Sequence, residues 1–190
     1  SKDNEIMLKD RINIVAVGML RKEKAFERLL QVFNLLDDKY CLYIIGEGIQ
    51  REMLEENIKK LKMENRVKLL GLKENPYIYM KEAKLLLLSS LYEGFPNVIL
   101  EANACGTFVI ANACAGVGKE IIQNGINGYL VEENNINEFT KAIKYYSHLD
   151  YDKDRVKKTT ERYNVENIVN IYKDIFLDGE KEKYENYILS

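Results

Sequence analysis

Two glutamates, Glu93 and Glu101, lie eight positions apart across a glycine-bearing loop that leads into a helix. Pro96 suits the first helical position, where its missing N–H costs nothing, so the backbone N–H groups of residues 97–99 are predicted to stay free. Free N–H groups at a positive helix end form a cradle for an anion the size of a diphosphate. Glu101 returns to the helix face of Asn97, where it can accept hydrogen bonds from hydroxyls of a bound molecule, and Glu93 approaches from the loop.

Each of these features also has an ordinary structural explanation. Glu101 in a first helical turn would be stabilised by the helix dipole by about 0.3 to 1 kcal/mol. Glu93 could cap or solvate its loop, and Lys24 lies in a charged helix start where it could simply be solvated. Gly46 and Gly48 are explained better by a turn than by contact with a ligand.

The composition excludes several classes of protein. The 190 residues are enough for one domain with a full core and a tail. A formal charge of -2 argues against a nucleic-acid surface as the main partner. No apolar run approaches the roughly 20 residues that a membrane helix needs, and the first residues are too polar for a signal peptide. A cytoplasmic location is therefore expected.

The cysteines and the histidine give little scope for metal binding. Cys41, Cys105 and Cys114 lie far apart in the sequence, and the only histidine is His148. This set does not fit a zinc site. Each cysteine lies in or beside an apolar segment and is interpreted as a small buried thiol. His148, near the end of an amphipathic helix, is expected to face solvent.

Apolar runs of strand length alternate with amphipathic stretches along the chain. The predicted strands are residues 12–17, 41–45, 67–70, 85–88, 108–111 and 128–131. The predicted helices are residues 23–36, 49–63, 76–83, 96–105, 119–123 and 137–149. Six short strands alternating with helices predict an α/β fold with a Rossmann-like, doubly wound parallel sheet. Residues 1–164 are assigned to this domain, and residues 165–190 to a C-terminal helix and tail.

The predicted sheet brings several loops together. In such sheets ligands bind at the carboxyl ends of the strands. Loops 18–24, 46–48, 71–75 and 89–96 all follow strands, so they are expected to gather around the two glutamates.

The segment Ser89–Gly106 resembles the Glu-x7-Glu signature of the retaining glycosyltransferases of family four, which have the two-domain GT-B fold. Residues 125–131 resemble the turn and strand that usually follow, and Gly46-Glu47-Gly48 and Gly71 fall at the spacing expected upstream. The resemblance runs from about residue 12 to residue 176. It implies the carboxyl-terminal, nucleotide-sugar-binding half of such an enzyme.

The resemblance also implies roles for individual residues. Glu101 would hold the ribose hydroxyls of the donor nucleotide, and Glu93 would lie against the donor sugar. Lys24 would balance the charge of the diphosphate, so Glu93 and Lys24 are the candidate catalytic residues. The donor-binding set implied by the resemblance is Gly18, Gly71, Leu72, Gly94, Phe95, Pro96, Asn97, Val98 and Glu101.

The chemistry of glycosyl transfer agrees with these roles. Stabilising the negative charge on the departing nucleoside diphosphate lowers the barrier most, and Lys24 with a helix end can do this without a metal. The chain has no Asp-x-Asp pair at a strand end that would suggest Mg²⁺. We therefore expect no metal and no cofactor besides the donor itself.

The sequence departs from the family pattern in its first loop. The family usually has an arginine immediately after the glycine of the first strand, but here Gly18 is followed by Met19. Arg21, two positions further on, is hypothesised to supply the missing charge. Thr107 also replaces the usual proline after Gly106, which is interpreted as a structural change.

The function implied by the resemblance is that of a hexosyltransferase donor domain. The donor would be a nucleoside-diphosphate sugar, most naturally a UDP-sugar, and the acceptor a glycan or lipid-linked glycan in polysaccharide or glycoconjugate biosynthesis. An acceptor-binding domain would precede residue 1, so the chain alone is expected to bind donor but to transfer little or no sugar. A peripheral association of the full-length protein with the inner face of the membrane stays open.

Three other functions stay in view. A dinucleotide-dependent Rossmann enzyme would need a Gly-x-Gly-x-x-Gly turn, which the loop after Gly18 lacks. A nonenzymatic nucleotide-binding module is supported by Met19. A sugar-nucleotide epimerase with the GT-B fold would not be expected to keep the Glu-x7-Glu segment.

Overall fold

The computed structural model describes residues 7–114, 116–117, 120–132 and 135–164. The strands are β1 (Ile12–Val17), β2 (Tyr40–Ile45), β3 (Val67–Gly71), β4 (Leu85–Leu88), β5 (Phe108–Asn112) and β6 (Gly128–Val131). The helices are α1 (Phe26–Asn34), α2 (Arg51–Lys60), α3 (Tyr77–Glu82), α4 (Asn97–Ala104), α5 (Ile136–Tyr146) and α6 (Lys153–Lys158). Two 3-10 turns, Lys22–Lys24 and Glu161–Tyr163, complete the described elements.

The six strands form one sheet in the order β3-β2-β1-β4-β5-β6, and every pairing is parallel. The predicted doubly wound α/β fold is therefore confirmed. The strand order reverses between β1 and β4, which pair through Ile14 with Leu85 and Val15 with Leu86. The loops that follow these two strands consequently lie side by side at the carboxyl edge, where doubly wound sheets bind ligands.

The strands are apolar on both faces because helices cover both faces of the sheet. Successive side chains alternate between two core clusters: Ile14, Leu42 and Leu85 pack on one face, and Val15 and Tyr43 on the other. The first face is covered by α1, α2 and α5, which contribute Leu29, Leu30, Phe33, Leu54, Ile58, Phe139 and Ile143. The second is covered by α3 and α4, which contribute Tyr79, Met80, Ile99 and Ala102. None of the described helices is both long and apolar enough to cross a membrane.

The predicted helix 23–36 is wrong in its first part. Ala25 is left-handed, with φ 49°, and it separates the 3-10 turn from α1. The Ser89 hydroxyl donates to the Lys24 carbonyl at 2.8 Å, while the Arg28 N–H bonds to Ala25 instead. The Lys24 carbonyl, which in a continuous helix would accept the Arg28 N–H, thus accepts a tertiary hydrogen bond from Ser89 instead.

The predicted helix 119–123 is also wrong, because the described residues 120–123 are not helical: residues 120 and 121 form a turn, and residues 122 and 123 are irregular. The Asn127 side chain organises this turn by accepting the Gln123 N–H at 2.8 Å. Such a local side-chain bond competes with helix formation. The other boundaries agree within three residues, and the predicted helix and tail at 165–190 lie outside the described residues.

A buried amide network ties the C-terminal part of the domain together. The Asn127 amide nitrogen lies 3.0 Å from Asn103 Oδ1 on α4, 2.9 Å from the Ile121 carbonyl and 3.0 Å from Thr159 Oγ1 after α6. The Asn103 amide in turn donates to the carbonyls of Asn127 and Thr107. Because both amides are buried, each lost bond would leave an unsatisfied polar group.

We expect Asn127→Ala to lower the free energy of unfolding by about 2 to 4 kcal/mol, because several buried partners lose their bonds together. Urea denaturation followed by far-UV circular dichroism measures this loss. Asn137→Ala, at an exposed position of α5, is the matched control and should change stability by less than about 0.5 kcal/mol. Equal effects of the two substitutions would contradict a stabilising network.

Candidate functional site

Lys24 and Glu93 meet at the switch point of the sheet. Lys24 ends the 3-10 turn after β1, and Glu93 lies in the loop after β4. The Lys24 ammonium donates to both carboxylate oxygens of Glu93, at 2.6 Å to Oε1 and 2.8 Å to Oε2, across 69 positions of sequence. The side chains are 21% and 9% exposed, so the pair is largely shielded from water. The structure thus brings together the two predicted catalytic residues.

The ion pair leaves part of each group available. An ammonium has three N–H donors, and Glu93, its one acceptor among the residues that the structure describes, takes two of them, which leaves one N–H of Lys24 for another anion. A phosphate oxygen could take this bond without breaking the pair. The arrangement therefore suits a molecule that offers a phosphate to Lys24 and hydroxyl groups to Glu93.

Two adjacent serines after β4 hold the two partners of this pair. The Ser89 hydroxyl donates to the Lys24 carbonyl at 2.8 Å, and the Ser90 hydroxyl donates to Glu93 Oε1 at 2.5 Å. Behind them, the Asn112 amide donates to the Ser90 carbonyl at 3.0 Å. No role was predicted for these residues from the sequence. Their position could have indicated a role, because the two serines directly follow an apolar strand and shortly precede Glu93.

Gly116, in the loop after β5, braces the Glu93 backbone. A Cβ atom at Gly116 would lie 1.9 Å from the Glu93 carbonyl oxygen and 3.0 Å from that of Gly94, and its φ of +82° also favours glycine. Only glycine permits this approach. This role of Gly116 was not predicted from the sequence.

The amino end of α4 offers fewer free donors than predicted. Pro96 is the N-cap rather than the first helical residue, with ψ 70°. The N–H groups of two of the next three residues are already hydrogen-bonded within tight turns. The Asn97 N–H bonds to the Phe95 carbonyl at 2.9 Å, and the Ile99 N–H bonds to the Pro96 carbonyl at 2.9 Å. The prediction of three free N–H groups is therefore wrong. Of the three, only the Val98 N–H lacks a backbone partner within the described chain.

Glu101 lies half-buried on α4, one turn from the helix start. Its carboxylate makes no hydrogen bond or ion pair with any residue that the structure describes, so it can accept bonds from an added molecule. Phe95, more than half exposed, packs its ring edge-to-face with Tyr163, whose hydroxyl donates to the Glu120 carbonyl. This contact links the loop after β4 to the C-terminal part of the described domain.

The two glycines after β2 let their loop lie directly against the loop after β1. A Cβ atom at Gly46 would lie 1.9 Å from the Gly18 carbonyl oxygen, and one at Gly48 would lie 2.5 Å from that of Leu20. The sequence predicted only that Gly46 and Gly48 serve a turn, whereas the structure shows that they allow close approach to the backbone of the loop after β1. Gly18 itself has ordinary space for a Cβ atom.

The third loop adds an exposed apolar side chain to the same edge. The Gly71 carbonyl accepts the Gly46 N–H at 2.9 Å, and Gly71 has φ +72°. Leu72, which follows, is 77% exposed. An exposed leucine at the carboxyl edge can pack against a flat apolar group such as a nucleobase.

The first loop presents Met19 and Arg21 to solvent. The Arg21 guanidinium has no hydrogen bond or ion pair with the residues described, which leaves it available for an anion. The hypothesis that Arg21 replaces the charge missing at Met19 stays a prediction.

The cysteines and the histidine lie apart from this arrangement. Cys41 is buried as predicted, whereas Cys105 and Cys114 are half-buried, so that prediction is wrong for two of the three. Burial raises the pKa of the Cys105 thiol, and the nearby Glu101 charge raises it further, so the thiol stays protonated near neutral pH. His148 is exposed, as expected. Among the described residues, no three His, Cys, Asp or Glu side chains group closely enough to hold a metal ion.

We expect Gly116→Ala to weaken binding of a nucleotide sugar and to destabilise the fold more than Gly125→Ala does. Gly125 is a matched control because its φ is +78° but nothing lies within 4 Å of an added Cβ atom. Both alanines suffer backbone strain of about 1 to 2 kcal/mol, whereas only the one at position 116 pushes on Glu93. Urea denaturation and calorimetric titration measure the two effects. Indistinguishable variants would mean that Gly116 does not brace the loop.

Sequence comparisons identify the family to which the chain belongs. A family profile described as "Glycosyl transferases group 1" matches residues 2–171. The N-acetylgalactosamine-N,N'-diacetylbacillosaminyl-diphospho-undecaprenol 4-alpha-N-acetylgalactosaminyltransferase of Campylobacter jejuni is 35% identical over 140 residues, which are 74% of this chain and 38% of that protein. An uncharacterized glycosyltransferase of Haemophilus influenzae is 31% identical over 182 residues, which are 90% of this chain and 51% of that protein.

Solved structures show the same fold. The apo form of the lipopolysaccharide outer core galactosyltransferase WaaB superposes with a TM-score of 0.81 at 27% identity, over 90% of this chain and 50% of that one. Anabaena Alr3699/HepE in complex with UDP has a TM-score of 0.79 at 20% identity, over 89% of this chain and 49% of that one, which is a likeness of fold alone. The chain thus spans between 38% and 51% of the length of these proteins. The chain belongs to the glycosyl transferases group 1, and its parallel sheet is a Rossmann-like domain of the GT-B fold.

Proposed function

We propose that this chain binds the nucleoside-diphosphate sugar of a retaining glycosyltransferase, which moves a hexose-type sugar from UDP to a glycan or lipid-linked acceptor. The observation on which this depends is the Lys24–Glu93 ion pair at the β1/β4 switch point. In it, a cation suited to a diphosphate and a carboxylate suited to sugar hydroxyls are already in contact.

The donor is proposed to lie along the carboxyl edge of the sheet. Leu72 would support the nucleobase, and the unpaired Glu101 carboxylate would accept hydrogen bonds from the ribose. The diphosphate would take the remaining N–H of Lys24 and the N–H of Val98. The transferred sugar would then reach Glu93.

The proposed chemistry is departure of the nucleoside diphosphate. Negative charge grows on the diphosphate as the bond to the sugar breaks, and a fixed ammonium with a helix N–H stabilises that charge in the transition state. Because Lys24 is held by Glu93 before the donor arrives, little reorganisation is needed. We propose no metal and no further cofactor for this step.

Names of relatives support the substrate class. UDP is bound in the solved Anabaena protein, and the name of the Campylobacter enzyme specifies a sugar chain on diphospho-undecaprenol as acceptor. A lipid-linked acceptor and a UDP-sugar donor are therefore the proposal for the whole protein to which this domain would contribute. A module that binds nucleotide without transfer is the second candidate, because Met19 stands where an arginine is usual.

Calorimetric titration of the chain with UDP, GDP and ADP should show binding, with UDP the tightest. We expect Glu101→Ala to weaken UDP binding about 10- to 100-fold, because the ribose would lose a charged hydrogen-bond acceptor. Glu56→Ala, at an exposed position of α2, is the control and should bind like the wild type. A panel without any binding would refute the proposed function.

Lys24→Ala should abolish measurable UDP binding, and Arg21→Ala should weaken it about 10-fold if the guanidinium meets a phosphate. Lys22→Ala removes an exposed charge from the same turn and is the matched control, expected to cost less than about 3-fold. Titration at low and physiological salt separates contact from long-range attraction. If Arg21→Ala binds UDP as tightly as Lys22→Ala does, while Lys24→Ala shows no binding, then Arg21 does not replace the arginine that is missing at position 19.

A further inference from the structure

We propose that Ser90 is a positioning residue of the donor site, which orients the Glu93 carboxylate so that one oxygen faces the transferred sugar. This inference rests on the proposed function and adds a residue that acts through Glu93 rather than on the donor. It predicts that Ser90 affects recognition of the sugar and not of the nucleotide.

The two oxygens of Glu93 have different surroundings. Oε1 accepts from Ser90 Oγ at 2.5 Å and from Lys24 Nζ at 2.6 Å, whereas among the described residues Oε2 accepts from Lys24 alone, at 2.8 Å. A carboxylate oxygen has two lone pairs, so Oε1 is fully used and Oε2 has one acceptor position left. Ser90 thereby decides which oxygen is open to a sugar hydroxyl.

Ser90 is itself anchored to the sheet. It is 1% exposed, and its carbonyl accepts from the amide of Asn112, which is equally buried at the end of β5. Strands β4 and β5 pair directly, with Leu88 opposite Ala111, so Asn112 lies at the end of β5 and Ser90 lies two residues beyond the paired end of β4. A carboxylate on a loop is therefore held in one orientation by strand ends, which is the support that a precise binding site requires.

The neighbouring serine shows that this contact is specific. Ser89 is as buried as Ser90, but its hydroxyl donates to a backbone carbonyl, that of Lys24. Of these two serines, it is Ser90 whose hydroxyl donates to a side chain of the proposed site.

The test compares the affinities for UDP, UDP-glucose and UDP-N-acetylglucosamine by calorimetry. We expect Ser90→Ala to weaken binding of the preferred UDP-sugar about 10-fold, the loss of one charge-assisted hydrogen bond, and to change UDP binding by less than about 2-fold. Thr107→Val removes an equally buried hydroxyl, which donates to the Met80 carbonyl, and is the control for stability alone. It should leave the ratio of UDP-sugar to UDP affinity unchanged.

A double-mutant cycle separates action through Glu93 from an independent effect. In the Glu93→Gln background, Ser90→Ala should weaken UDP-sugar binding no further, because the group that it orients has already changed. Ser90→Cys, which fills the same space with a weak donor, takes the place of Ser90→Ala if the alanine variant does not fold.

The outcomes distinguish the two proposals. A wild type that binds none of the nucleotides refutes the proposed function, and the inference with it. A wild type that binds UDP but no UDP-sugar more tightly than UDP overturns the inference alone. The inference is also overturned if Ser90→Ala weakens the binding of UDP and of the UDP-sugar equally. Additive losses of UDP-sugar affinity in the double-mutant cycle would overturn it as well.

Discussion

The contact between Lys24 and Glu93 depends on the order of the strands, and the candidate site depends on that contact. Only because β1 and β4 are neighbours at the switch point can two loops 69 residues apart share an ion pair. Such a pair adds little net stability, since desolvation of two charges offsets their attraction, but removal of one partner leaves a buried charge without compensation. The pair therefore defines geometry more than it stabilises the fold.

Close backbone contacts keep that geometry rigid. Gly46 lies against the backbone of Gly18, and Gly116 lies against that of Glu93, at distances that no other residue type permits. With the serines after β4, these contacts attach the loops to strand ends rather than leaving them free in solvent. A site assembled before its ligand arrives needs little reorganisation on binding, which favours both affinity and catalysis.

Much of the fold could be predicted because it depends on local patterns. The apolar runs of β1, β2 and β4 are buried on both faces, and such runs indicate parallel strands whatever their order. Two predicted helices differ from the structure, because tertiary contacts changed where they begin or prevented them from forming. Ser89 takes the carbonyl that would have continued the first helix through Ala25, and Asn127 converts the predicted helix before it into a turn.

The sequence by itself determined the residue types of the site: two glutamates at a fixed spacing, a lysine in the first loop and a glycine-bearing turn before a helix. These follow from the order of residues along the chain, since spacing and local conformation suffice to place them at strand ends. The tertiary structure alone decided that Ser90 orients Glu93, that Gly116 braces its backbone, and that turns use the N–H groups of Asn97 and Ile99. Those contacts depend on the distances between loops and on the final turn angles, which packing of the whole sheet determines.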